Sequence, residues 1–188
     1  MAAADILLLV RHAEPAIDRG APASAWPLSP RGRAQCARLA EALRPHGPGH
    51  IASSPEPKAV ETARLAAAAL GVDTSLATGL EEHHRETVPL LADFRSHIAA
   101  LFARPDQRML GEESGAEAQA RFARALETVT AAWRWPGPPC LVAHGTVLSL
   151  YLGARLGLDP MSLWDRLRTP SLLVLAGDRL EVATDFDP

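Results

Sequence analysis

The sequence predicts a three-layer α/β/α fold with a mostly parallel central sheet and a C-terminal antiparallel hairpin. Three observations carry this. Short apolar runs at residues 5–10, 50–53 and 140–143 are bounded by turn signals, as strands buried on both faces are. Helical stretches separate them, and alternation of strand and helix implies a parallel sheet. The last two runs, 172–176 and 179–183, flank Gly177-Asp178, a two-residue hairpin signal.

Each element has its own local reason. Asp5 to Val10 is short, continuous and apolar, a buried strand. Residues 13–27 hold Pro15, Gly20, Pro22 and Pro27 and read as a loop. Ser29 is an N-cap with Pro30 at the first helical position. Ala34, Ala37, Ala40 and Leu43 are expected to line one face of that helix, which residues 45–49 end. After the strand at 50–53, Ser54-Pro55 is expected to open a second helix running to Leu70, with Gly71 as its stop. A short strand is expected within 72–80, then a helix near 88–103. Ser114-Gly115-Ala116-Glu117 is a capping box. It opens a helix whose Ala118, Phe122, Leu126, Val129 and Trp133 form a core-facing stripe. Residues 136–139 break it. The strand at 140–143 follows, then a helix near 146–156.

A length of 188 residues suits one domain spanning 1–188, with a lid subregion expected at 81–113. Hydrophobic residues at 47% and charged residues at 22% place the chain among globular proteins rather than disordered ones. The net charge of −3 leaves no basic footprint, so nucleic acid is not the expected partner. Two cysteines, Cys36 and Cys140, make no disulfide framework, and a reducing compartment fits. The run Ile6-Leu7-Leu8-Leu9-Val10 is too short for a membrane span or a signal segment, and no basic stretch precedes it. A cytoplasmic location with no membrane partner is expected. The oligomeric state is open.

The chemistry sits at strand ends. Arg11-His12 follows the first strand and His144-Gly145 follows a later one. Ligands of open α/β sheets bind outside the carboxyl ends of strands, so the two histidines can converge. Ser53-Ser54-Pro55 enters a helix in the same region, and a helix N-terminus suits an anion. Lys58, the single Lys among 19 basic residues, lies in the first turns of that helix. Two imidazoles, two cations and a helix N-terminus describe a phosphate site with a candidate His nucleophile.

The strings add to the spacing. The chain resembles the histidine phosphatase superfamily, also called the phosphoglycerate-mutase-like family. Arg11-His12-Ala13 is similar to the family's Arg-His-Gly signature, and Leu28-Ser29 through Gln35 to the segment after it. Ser53-Ser54-Pro55, Lys58-Ala59 and Thr62-Ala63 resemble its Ser-Ser-Pro, Arg-Ala and Thr-Ala helix. Leu80-Glu81-Glu82 resembles its Leu-x-Glu acid, Gly111 to Ser114 its Gly-Glu-Ser helix start, and His144-Gly145 its second His motif. The matches run in the family's order over nearly the whole chain.

The resemblance implies a metal-independent phosphatase acting on small phosphomonoesters, with no cofactor. It implies His12 as the nucleophile and Arg11 and His144 as holders of the phosphoryl oxygens. Glu82, or alternatively Glu81, is the implied proton donor. Lys58 stands where the family usually carries a second Arg and is the implied phosphate ligand. The alternatives are a phosphoglycerate mutase and a non-catalytic phosphate-binding module of the same fold. The chain departs from the family after the acid, where His83-His84-Arg85-Glu86-Thr87 replaces Gly-x-x-Glu-Gly. His83-His84 lacks ligand-spaced partners and is not read as a metal site. Arg85, Arg95, Arg104 and Arg108 fall in or near the lid. They are read as a solvated face, with selection of acidic substrates as the alternative.

Overall fold

The computed structural model describes residues 6–88 and 92–188. Six strands, β1 (Ile6–Arg11), β2 (His50–Ser53), β3 (Asp73–Leu76), β4 (Cys140–Ala143), β5 (Ser171–Ala176) and β6 (Arg179–Ala183), form one sheet in the order β3-β2-β4-β1-β5-β6. Neighbours from β3 to β1 are parallel. β5 runs antiparallel to both β1 and β6.

The central strands are apolar throughout because both their faces are covered. Leu8 and Val10 of β1, with Cys140 and Val142 of β4, pack against the helices α1 (Pro30–Leu43) and α2 (Pro57–Leu70). Leu9, Leu141 and Ala143 point the other way, toward α4 (Gly115–Ala131), α5 (Gly145–Leu156) and α6 (Pro160–Arg166). This is the expected three-layer arrangement. Phe122 is the largest fully buried side chain among the described residues; its removal would cost about 3–5 kcal/mol.

Helix starts follow capping chemistry. Ser29 Oγ accepts from Gly32 N at 2.9 Å, with Pro30 in the first position. Gly32 packs so closely on the backbone of Glu14 that a Cβ would collide with it. That contact fixes the loop that follows β1. The capping box at Ser114 is complete, with Ser114 Oγ accepting from Glu117 N and Glu117 accepting from Ser114 N.

Three expectations are corrected. The buried face of α1 is Gly32, Gln35, Cys36, Leu39, Ala40 and Leu43, whereas Ala34 and Ala37 are exposed. Leu39 and Cys36 offer more apolar area than the alanines and set the rotation. α2 opens two residues later than expected, with Glu56 as N-cap and Pro57 at the first position. Two prolines compete for that position, and Pro57 takes it. Phe94–Ala103 forms α3, capped by Asp93 rather than starting near 88; residues 89–91 lie outside the described part. α3 packs on α6 through a small cluster that includes Ile98, Leu101, Met161 and Trp164. α6 was not expected from the sequence. No helix among the described residues is long and apolar enough to cross a membrane.

Candidate active site

Strand register brings the two histidines together. In the parallel β1–β4 pair, Arg11 lies opposite Ala143. The next residue on each strand is therefore a histidine leaving the same sheet edge. His12 N donates to Ala143 O at 3.0 Å, and the imidazole centroids are 5.1 Å apart. β2 adds a third residue: Ser54 N donates to Val142 O at 2.9 Å, and Ser54 Oγ lies 2.8 Å from His144 Nε2.

His12 is 6% exposed and lines a cavity of about 520 Å³. Its Nδ1 lies 2.7 Å from Ala13 O. A carbonyl only accepts, so Nδ1 carries the proton and donates, and the ring's lone pair is on Nε2. Burial, then His144, Lys58 and Arg11, hold the imidazole well below its ordinary range, so the ring is neutral. His144 is wholly buried behind His12 and is likewise held neutral, chiefly by burial. Arg11 lines the cavity and donates through Nη1 to Leu167 O at 2.5 Å. Its guanidinium carbon comes within 3.0 Å of where a Cβ on Gly145 would stand, so a side chain there would press on the Arg11 head group.

Lys58 also lines the cavity and is 5% exposed, not a solvated surface residue. Its ammonium donates to Ala23 O at 2.7 Å and to Glu56 Oε2. Glu56 is itself buried. Its other oxygen accepts from Glu82 N at 2.7 Å and lies 3.5 Å from His144 Nε2. The sequence reading gave Glu56 no role. The signal that marks it is a Glu between two prolines, two residues before the lone Lys.

The two candidate acids separate clearly. Glu82 lies in the cavity wall, and its carboxylate accepts from Thr146 N, Val147 N and His83 N at 3.0, 3.2 and 2.8 Å. Burial alone would raise its pKa. The Arg85 charge and the backbone donors outweigh burial and hold it far below the carboxylate range. Glu81 turns away: it accepts from Gly79 N and lies 3.6 Å from Arg121. Arg121 fastens the whole loop. It donates to the carbonyls of Gly79, Glu81 and Glu82 and to both oxygens of Glu113. It precedes Phe122 on α4, so periodicity marks it only as off the core stripe.

His83 and His84 serve this loop. His83 Nε2 lies 2.8 Å from Glu113 O, and His84 N donates to Glu113 Oε1. Among the described residues no group of three His, Cys, Asp or Glu side chains is placed to hold a metal. The cysteines lie away from the cavity wall; burial pushes both thiols up to about 12.

Of the four arginines read as a solvated face, three fit. Arg95 and Arg108 form exposed ion pairs with Asp165 and Glu117, and Arg104 is exposed. Arg85 does not fit. Its side chain is 14% exposed, lines the cavity and sits 5.0 Å over the Phe94 ring.

Comparison with known proteins agrees with the fold. A family model described as histidine phosphatase superfamily (branch 1) matches residues 7–181. A search of curated proteins gives no match. Among solved structures, a mycobacterial glucosyl-3-phosphoglycerate phosphatase complexed with VO3 is similar at 25% identity and TM-score 0.72, covering 96% of this chain and 97% of that one. Bacillus stearothermophilus YhfR is similar at 21% identity and TM-score 0.70, covering 97% of each chain. A phosphoserine phosphatase mutant from Entamoeba histolytica, in complex with phosphoserine, shares 17% identity at TM-score 0.63 and 95% of each chain.

Proposed function

The chain belongs to the histidine phosphatase superfamily, branch 1, and from that premise we propose that it hydrolyses small phosphomonoesters through a phosphohistidine formed on His12. The observation that carries this reading is the state of His12. Its Nδ1 proton is committed to Ala13 O, so a neutral ring presents its lone pair at Nε2, beside Arg11. Solved structures of phosphatases with the same fold, one holding VO3 and one phosphoserine, support the reaction class.

In the first step Nε2 of His12 attacks phosphorus and the ester P–O bond breaks. Arg11 and Lys58 stabilise charge on the phosphoryl oxygens, a stabilisation that supplies most of the rate in phosphoryl transfer. His144 joins them by exchanging Ser54 for a phosphoryl oxygen at its Nε2. Glu82 gives a proton to the leaving oxygen. The free carboxylate is ionised, so that proton arrives with the substrate: a phosphomonoester monoanion, whose last pKa is about 6, carries it, and the negative charge bound beside Glu82 raises the carboxyl's affinity for it. In the second step water attacks phosphorus, Glu82 takes its proton, and the N–P bond returns its electron pair to His12. Of the expected lid, Glu82, Arg85, Thr87, Val88 and Phe94 line this cavity.

The test is turnover of a chromogenic phosphomonoester, with acid quench to trap an acid-labile, base-stable phosphoprotein. Label on His12, and no turnover in His12→Ala, is the expected result. Label on another residue, or full activity in His12→Ala, removes the mechanism. With phosphoglycerates the expected product is inorganic phosphate; an isomerised ester would make the protein a mutase.

A further inference from the structure

We propose that Arg85, seated on Phe94, forms a leaving-group subsite that selects phosphomonoesters carrying a second anionic group, a carboxylate or another phosphate, near the ester oxygen. This rests on the phosphatase reading and names the substrate class of the same cavity.

The argument begins with charge matching in the cavity wall. Glu56 is matched by Lys58 and by Glu82 N. Glu82 is matched by the backbone donors of His83, Thr146 and Val147. Glu86 accepts from Ser24 Oγ. Of the guanidinium groups in the wall, Arg11 donates to Leu167 O and serves the phosphoryl group, whereas Arg85 is half-buried and has only a long ion pair with Glu82. Among the described residues its guanidinium makes no hydrogen bond, and its Nη1 is shut away from water without a partner. Its nearest carboxylate oxygen, Glu82 Oε2, is 3.8 Å away, too far for a hydrogen bond. A buried donor left unpaired costs free energy, and an anion that pairs with it recovers that cost.

Position then assigns the anion to the leaving group rather than to the phosphoryl group. Glu82 Oε2 contacts Thr146 N, at the helix that begins beside His144, and Arg85 on its other flank. Beyond Arg85 stands Phe94, and beyond Phe94 stands Trp164, with ring centroids 6.3 Å apart. The contacts therefore run from the helix after His144 through Glu82 and Arg85 to the aromatic wall. The acid protonates the bridging oxygen, so whatever lies past it, away from the histidines, faces the leaving group. A planar guanidinium fork matches carboxylate or phosphate in two parallel hydrogen bonds, and the Phe94 ring, 5.0 Å from its Cζ, holds the head group by a cation–π contact.

The test uses non-hydrolysable phosphonates, so that binding is read apart from catalysis. Calorimetry on the wild type compares propylphosphonate with 3-phosphonopropionate, which adds a carboxylate, and with propane-1,3-diphosphonate, which adds a second phosphonate. At least one of the two acidic ligands is expected to bind roughly ten- to hundred-fold tighter than propylphosphonate. Which one does identifies the second anion. Arg85→Ala and Arg85→Gln should erase that preference and leave propylphosphonate and inorganic phosphate binding within about threefold. Arg85→Lys should keep part of it. Equal binding of all three ligands by the wild type overturns the proposal. So does an Arg85→Ala protein that weakens every ligand and inorganic phosphate alike, because Arg85 then holds the phosphoryl group itself. If the preference is present but no ester is hydrolysed, the phosphatase reading fails and the subsite stands.

Discussion

Glu82 closes the N-terminus of the helix that begins at Gly145: its carboxylate accepts from Thr146 N at 3.0 Å, two residues after His144. The candidate acid and the second histidine are thus tied to the same helix end. A helix N-terminus stabilises a carboxylate through its free N–H groups and its dipole. The same bonds that position Glu82 keep it ionised until an anionic ester displaces the balance.

That ionisation gives a stability prediction. The folded-state pKa of Glu82 lies below its unfolded value. Its contribution is then fully present above the unfolded carboxylate value of about 4.3 and is lost as pH falls toward the folded one. Glu82→Gln should therefore be less stable than wild type at pH 7. The difference in Tm should shrink steadily as pH drops below about 4. Thermal melts of both proteins from pH 3 to 8 check this. A difference in Tm that is constant or grows toward acid would contradict the assignment of Glu82 as an ionised cap.

His12 gives a spectroscopic prediction. With Nδ1–H on Ala13 O and a depressed pKa, the ring should stay neutral through the ordinary histidine range. Long-range nitrogen NMR should show Nδ1 protonated and Nε2 bare from pH 5 to 8. A ring titrating near 6.5, or protonated at Nε2, would refute it.

Arg121 gives a prediction about positioning. One guanidinium binds three loop carbonyls and Glu113 beneath the acid. Arg121→Gln should release the loop that carries Glu82 without removing any cavity residue. Activity on esters with poor leaving groups should fall by about 10² or more, the range of general acid catalysis, while activated esters lose far less. Equal loss on both would mean that Arg121 acts on overall stability alone, which a melt would show.

The parts of this molecule that the sequence announced share one physical trait. β1 and β4 are buried on both faces, so they read as unbroken apolar runs, and a polar pair after each run is conspicuous. His12 and His144 follow from that. α6 is seven residues long, too short for periodicity, although Asp159-Pro160 carries the right cap. Alanines at 34 and 37 misled the reading of α1 because their apolar area is too small to decide a face. The sequence reading gives Glu56 and Arg121 no role, and takes Arg85 first as solvated with acidic-substrate selection only as the alternative, for another reason. Charged residues are presumed solvated, and only the fold shows that these three are turned inward against partners remote in sequence.

Lys58 and Glu56 supply the last prediction. Both side chains are under 10% exposed, at 6% and 8%, and they pair with each other in the cavity wall. Replacing one partner of such a pair strands the other. Lys58→Met leaves the Glu56 carboxylate buried beside His144 and should cost about 3–5 kcal/mol of stability. Removing both charges, in Lys58→Met with Glu56→Gln, should recover most of that loss, because buried pairs contribute little net stability. Activity should behave differently. Lys58 is proposed to stabilise phosphoryl charge, so the double variant should fold well yet turn over roughly 10²-fold more slowly, the loss typical of one oxyanion donor. Glu56→Gln alone separates the remaining role. It frees Lys58 from its anion, so inorganic phosphate should bind more tightly than in the wild type. Melts, kcat/KM on one ester and phosphate inhibition on the four proteins decide the matter. If the double variant regains both stability and activity, Lys58 only ties Ala23 and Glu56 to the cavity wall and takes no part in holding phosphate.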